Sequence, residues 1–194
     1  MRLFVAITLD ESVRQALIKA QAELRQSGVD ARWVEPVNIH LTMRFLGEVP
    51  ESMVSKLAET LVKACSGHRA FSMEIVGLGA FPPACASHAD RNVSRPRVVW
   101  AGCRELKPVL PALYRDIETG ILGMGLPGDD KTFLAHITLG RVKSGKNVDK
   151  LATVINSNNS KSFGIQAVSG VTLFESKLTP DGPIYREVEK FKLG

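Results

Sequence analysis

Apolar positions along the chain recur with two different periods. Residues 2–9, RLFVAITL, form a β-rich run, and after Asp10 the residues Val13, Leu17, Ala20 and Leu24 return at helical spacing until SGVD interrupts them. A strand and then an amphipathic helix are expected. IHLTMRFLG reads as the next strand, Pro50 opens a helix with Val54, Leu57, Leu61 and Cys65 on one face, and FSMEIVGL (71–78) alternates as a half-buried strand. Residues 79–96 hold three of the ten prolines and show no period, so a loop is expected between two halves or along a cleft. The second half resumes with a strand over 97–103, a helix from Pro108 carrying Leu110, Leu113 and Ile117, and the strand FLAHITLGRV (133–142). A last helix from Asn147 bears Val148, Leu151 and Ile155, and strands near 162–173 and 184–193 close the chain. These alternating elements predict an α+β fold of two related lobes.

One pattern occurs twice. NIHLTMRFLG (38–47) and FLAHITLGRV (133–142) each set a His, an aliphatic residue and a Thr in an apolar run, using two of the four histidines. Successive side chains of a strand point to opposite faces, so His40 and Thr42 share one face and Ile39, Leu41 and Met43 the other; His136 and Thr138 oppose Ile137 and Leu139 in the same way. Two residues along a strand span about 6.5–7 Å, so an imidazole and a hydroxyl can lean on one small tetrahedral anion. A single His in an apolar strand is ordinarily a hydrogen-bonded core or edge residue. The duplication is what points to a site. Met43, Leu139 and Phe45 read most simply as core.

Composition narrows the classes. The 194 residues are 44% hydrophobic and 23% charged, which suits a globular chain with a substantial core and excludes disordered and collagen-like classes. The opening MRLFVAITLDE meets Asp10 too soon for a signal peptide, and no run approaches the length of a membrane helix. Cys65, Cys85 and Cys103 suggest neither a disulfide framework nor a metal-binding pair, so a cytoplasmic location and no membrane partner are expected. A net charge of +5 mildly favours a phosphate-bearing partner. Neither motif has an acidic or Cys neighbour of the kind zinc needs, and neither a G-x-S-x-G elbow nor a Walker lysine is present. No metal and no cofactor are expected. His68 and His88 read as solvated, and Glu48 and Glu51 as turn and helix-start residues.

The paired His-x-Thr, the preceding RWVEPVNIHLTMRFLGEV and the closing VTLFESKLTPDGPIYREVEKFKL resemble the two-histidine phosphoesterase superfamily, specifically the RNA 2′,3′-cyclic phosphodiesterases once named 2′-5′ RNA ligases. The resemblance covers essentially the whole chain; Ala135 stands where the family often has Pro before the second His. It implies one bilobal domain over 1–194, with two interleaved, pseudo-symmetric lobes of antiparallel sheet with helices and an active-site cleft between the sheets. It also implies His40 and His136 as acid–base catalysts, and Thr42, Thr138 and Arg141 as phosphate contacts. Strict alternation would turn Arg141 away from the His136 face, but Gly140 could permit a bulge that re-aims it. Arg44 has the right parity in the first strand for a second phosphate contact, and Phe45 could stack on a base.

The implied substrate is an RNA ending in a 2′,3′-cyclic phosphate, or a cyclic nucleotide, opened by water to a 2′-phosphate by a monomeric enzyme. His40 would protonate the leaving 3′ oxygen and His136 would activate water. Two alternatives stand beside this: a 2′-5′ RNA ligase, which is the same site run backwards, and a non-catalytic RNA- or nucleotide-binding module. Two intact histidines argue against the module, since Arg or Lys would serve pure binding as well.

Overall fold

The computed structural model describes residues 1–84, 95–129, 132–180 and 182–194; Cys85, His88 and most of the expected loop lie outside these. The strands are β1 (Arg2–Thr8), β2 (Ala31–Trp33), β3 (His40–Glu48), β4 (Phe71–Phe81), β5 (Val98–Glu105), β6 (His136–Val142), β7 (Ser162–Val168), β8 (Gly170–Thr179) and β9 (Gly182–Lys192). The helices are α1 (Glu11–Gln26), α2 (Val54–Ser66), α3 (Val109–Gly123) and α4 (Val148–Ser157).

The elements follow from their patterns. Helix α1 buries Val13, Leu17, Ala20 and Leu24 along one stripe, and Gln21 with them. Pro50 precedes a short 3-10 turn (Glu51–Met53) before α2 buries Leu57, Leu61 and Cys65. Three expectations need correction. Residues 79–81 continue β4 instead of opening a loop, and the run expected over 162–173 is two strands, β7 and β8, with Ser169 between them. His68 is also not solvated: its side chain is only 10% exposed, and Nε2 lies 2.7 Å from Asp116 Oδ2, tying the end of α2 to α3.

Among the described residues all strand pairing is antiparallel, in the order β7-β4-β5-β6-β3-β1-β8-β9, with β2 added on β6. The order splits into two lobes. β4, β5, β6 and β7 carry α1 and α4 behind them, while β1, β3, β8 and β9 carry α2 and α3. The lobes interleave in sequence, because β1 opens the chain in one lobe and α1 packs against β7 of the other. They join where β3 meets β6, through the register pair Leu41 and Ile137.

Core and cleft lie on opposite faces of this sheet. Leu3, Val5 and Ile7 of β1, Leu41 and Met43 of β3, and Ile137 and Leu139 of β6 enter the apolar core. Burying one such side chain contributes about 1.5–3 kcal/mol. Phe4 points the other way, among Phe45, Phe174, Tyr185 and His40.

Candidate active site

The junction of the lobes sets the geometry of the duplicated motif. Residues paired across a sheet point to the same face, so Leu41 and Ile137 both enter the core and all four polar residues of the motifs turn to the other face. Antiparallel register makes the arrangement two-fold about that pair, with His40 toward Thr138 and Thr42 toward His136.

Each imidazole is held in the same way. His40 Nδ1 lies 2.7 Å from the carbonyl of Asn38, and His136 Nδ1 lies 2.7 Å from the carbonyl of Leu134, in each case two residues upstream. A carbonyl only accepts, so Nδ1 carries the proton and Nε2 is the nitrogen left for chemistry. His40 Nε2 lies 2.9 Å from Thr42 Oγ1, which donates to the neutral ring and accepts from the charged one. Burial holds the His40 imidazole below its ordinary value, partly offset by the bond to the Asn38 carbonyl. Aromatic rings border both histidines: Phe4 and Tyr185 lie 5.1 and 5.4 Å from His40, and Phe81 meets His136 edge-on at 5.2 Å.

A cavity of about 620 Å³ opens on this face. Of the residues expected to meet, it gathers His40, Thr42, Phe45, Thr138 and Arg141. His136 stands on the same sheet face, beside Phe81 and two residues from Thr138, but outside the cavity lining. Arg44 does not join them.

Two bulges explain what simple alternation misplaces. On β3, the register to β1 runs from Ala6–Thr42 to Val5–Arg44, so Met43 is the extra residue. On β6, the register to β5 runs from Trp100–Thr138 to Val99–Gly140, so Leu139 is the extra residue. Each bulge reverses parity at the same place in the repeat. Phe45, 56% exposed, and Arg141 therefore face the cavity. Arg44 turns inward and is 5% exposed, correcting its expected place beside a phosphate. There it pairs with Glu118 of α3 and donates to the carbonyls of Phe45 and of Pro127, the latter at 2.5 Å.

Gly140, the counterpart of Arg44, has its own reason. A Cβ there would lie 2.6 Å from the Trp33 ring, so only a glycine lets this indole cross the strand. Trp33 in turn lines the cavity. The other wall comes from the end of β8, with Thr179, and from β9, with Pro183, Ile184 and Tyr185. Burial pushes the Tyr185 phenol up, against the charges of Arg141 and Arg2. Sequence reasoning gave Trp33 and Tyr185 no role, although both lie in the segments that carry the family resemblance.

Among the described residues, no three His, Cys, Asp or Glu side chains are grouped so as to hold a metal ion. No helix there is long and apolar enough to cross a membrane.

A two-fold pair of His-x-Thr strands beside a cavity at a two-lobed sheet is the arrangement of a two-histidine phosphoesterase. Residues 7–87 and 102–185 match the family described as LigT like Phosphoesterase, and the chain belongs to that family of enzymes. It is 34% identical over 193 residues to the RNA 2′,3′-cyclic phosphodiesterase of Methanothermobacter thermautotrophicus, covering 100% of this chain and 99% of the relative. It is 38% identical over 193 residues to the enzyme of the same name from Archaeoglobus fulgidus, covering 99% and 100%. A crystal structure of a Thermus thermophilus protein superposes with TM-score 0.79 at 31% identity, covering 100% of this chain and 98% of that one. E. coli LigT complexed with 3′-AMP shares the fold, with TM-score 0.76 at 24% identity and coverage of 99% and 97%.

Proposed function

We propose that this protein hydrolyses the 2′,3′-cyclic phosphate at the end of an RNA, or on a nucleotide, to a 2′-phosphate. The observation that carries the reading is the two-fold placement of the His-Thr pairs, with both Nδ1 atoms tied to backbone and both Nε2 atoms left for proton transfer. Two full-length relatives named for this activity support it.

In the proposed reaction, His136 Nε2 takes a proton from water as the water oxygen bonds to phosphorus. The bond from phosphorus to the 3′ oxygen breaks, and His40 Nε2–H gives its proton to that oxygen. Thr42, Thr138 and Arg141 donate to the non-bridging oxygens, where a hydrogen bond to a charged group contributes about 1.5–3 kcal/mol. Phe45 offers its exposed ring to the adjoining base.

Turnover of a 2′,3′-cyclic nucleotide in excess chelator tests the reading. Because protons carry the proposed chemistry, the rate is expected to match that without chelator. Loss of the rate, restored by one divalent ion, contradicts it.

The environment of His40 gives a signed pH dependence. Burial favours its neutral form, so in the free enzyme the group required as an acid loses its proton below the ordinary value of 6.5, and kcat/KM falls as pH rises through that point. A bound phosphate anion favours the charged ring, so the corresponding limb of kcat lies at higher pH. Rate profiles on a cyclic nucleotide check this, and a kcat limb at or below that of kcat/KM rejects the assignment of His40 as the acid.

A further inference from the structure

We infer that Gln21, on α1 behind the sheet, is a positioning residue that sets the aim of Arg141 by pinning the bulge in β6. The inference rests on the reading of Arg141 as a phosphate contact.

Gln21 is 3% exposed and lies in the apolar stripe of α1. A buried amide there is costly unless its hydrogen bonds are made. Its Nε2 donates to two backbone carbonyls, Val34 at 2.8 Å and Leu139 at 2.9 Å. Arg25 Nη2 donates to its Oε1 at 3.3 Å, and the Arg25 guanidinium sits 5.5 Å from the Trp33 ring centre. The amide is therefore oriented, oxygen toward Arg25 and both protons toward the sheet.

Leu139 is the extra residue of the β6 bulge, unopposed on the β5 side. Its carbonyl turns to the other side, where it accepts from Val34 N–H at 2.9 Å as well as from Gln21. One side chain thus ties together the bulge and the segment that carries Trp33. Without the bulge, alternation would turn Arg141 toward the helices. The first motif meets the same need differently, because Arg44 itself holds the carbonyl of Phe45 and is anchored by Glu118 of α3. Gly140 leaves β6 with no side chain at that position, so the anchor comes from α1.

The test is a double-mutant cycle on the full chain, reading the dissociation constant of inorganic phosphate by calorimetry and the fold by thermal melting. Gln21→Met keeps length and removes both donors. It is expected to weaken phosphate binding about tenfold in the presence of Arg141 and by no more than about twofold in an Arg141→Ala background, the coupling typical of residues in one network. Gln21→Leu removes the same donors without adding a charge, and carries the test where Gln21→Met does not fold. Wild-type affinity in a folded Gln21 variant, an undiminished loss in the Arg141→Ala background, or an Arg141→Ala variant that binds phosphate normally each overturns the inference. Phosphate binding is read without turnover. An intact cycle in a protein inactive on cyclic phosphates rejects the proposed function alone, and an active enzyme without the coupling rejects this inference alone.

Discussion

Replacing either motif histidine with alanine is expected to lower turnover of a 2′,3′-cyclic phosphate by about 10²–10⁴-fold, the usual contribution of a general acid or base. Each ring presents Nε2 to the site and spends Nδ1 on a backbone carbonyl, so His40→Ala and His136→Ala remove a proton carrier; each also gives up ring contacts, with Phe4 and Tyr185 or with Phe81, whose effect a melting curve reads. Thr42→Ala and Thr138→Ala should cost less, since each removes one hydrogen bond of several. Steady-state rates with a melting curve for each variant check this. Folded histidine variants with wild-type turnover would make the duplicated motif structural.

Arg44→Ala is expected to lower stability by about 1–3 kcal/mol, because it leaves the half-buried Glu118 carboxylate with only the Asp129 N–H and takes a donor from the carbonyls of Phe45 and Pro127. The Arg44 and Glu118 side chains are 6% and 16% exposed, so solvent screens the pair little. Burial pushes the Glu118 carboxyl up, but the bonds from Arg44 and from the backbone N–H of Asp129 outweigh it and hold the group below its ordinary value. A depressed carboxylate contributes stability that is complete above its unfolded value of 4.5 and is lost as pH falls through the folded one. The variant should therefore also lose part of the acid dependence of the native fold. Urea unfolding at neutral and acid pH measures both effects, and a loss below about 1 kcal/mol would place the pair among ordinary surface ion pairs.

Arg44 also marks where sequence reading runs out. The alternation of apolar positions places β3 and β6, the helical stripes place α1 to α4, and the duplicated His-x-Thr marks the two strands that meet at the junction. Those signals are local. A bulge is not, because it depends on which strand lies alongside, so parity beyond Thr42 and Thr138 cannot be counted off the chain. Gly140 hinted at the second bulge; nothing in MRF hinted at the first. Strand β2 spans three residues, too few for any period to show, yet it brings Trp33 across Gly140. The prolines and missing period that made 79–96 read as loop begin only after Phe81, and Gly79 belongs to the strand, where the Trp100 ring lies at the place a Cβ would take. Tyr185 reaches His40 only because β9 pairs with β8 and β8 with β1, a placement no local pattern encodes.

The identity of the product formed from an oligoribonucleotide ending in a 2′,3′-cyclic phosphate tests the central claim most directly. With His40 giving its proton to the 3′ oxygen, the account predicts that the cyclic end is consumed and a 2′-phosphate with a free 3′ hydroxyl appears, resolved from the 3′-phosphate by chromatography. A 3′-phosphate product, or a cyclic end left intact by folded protein, would contradict it.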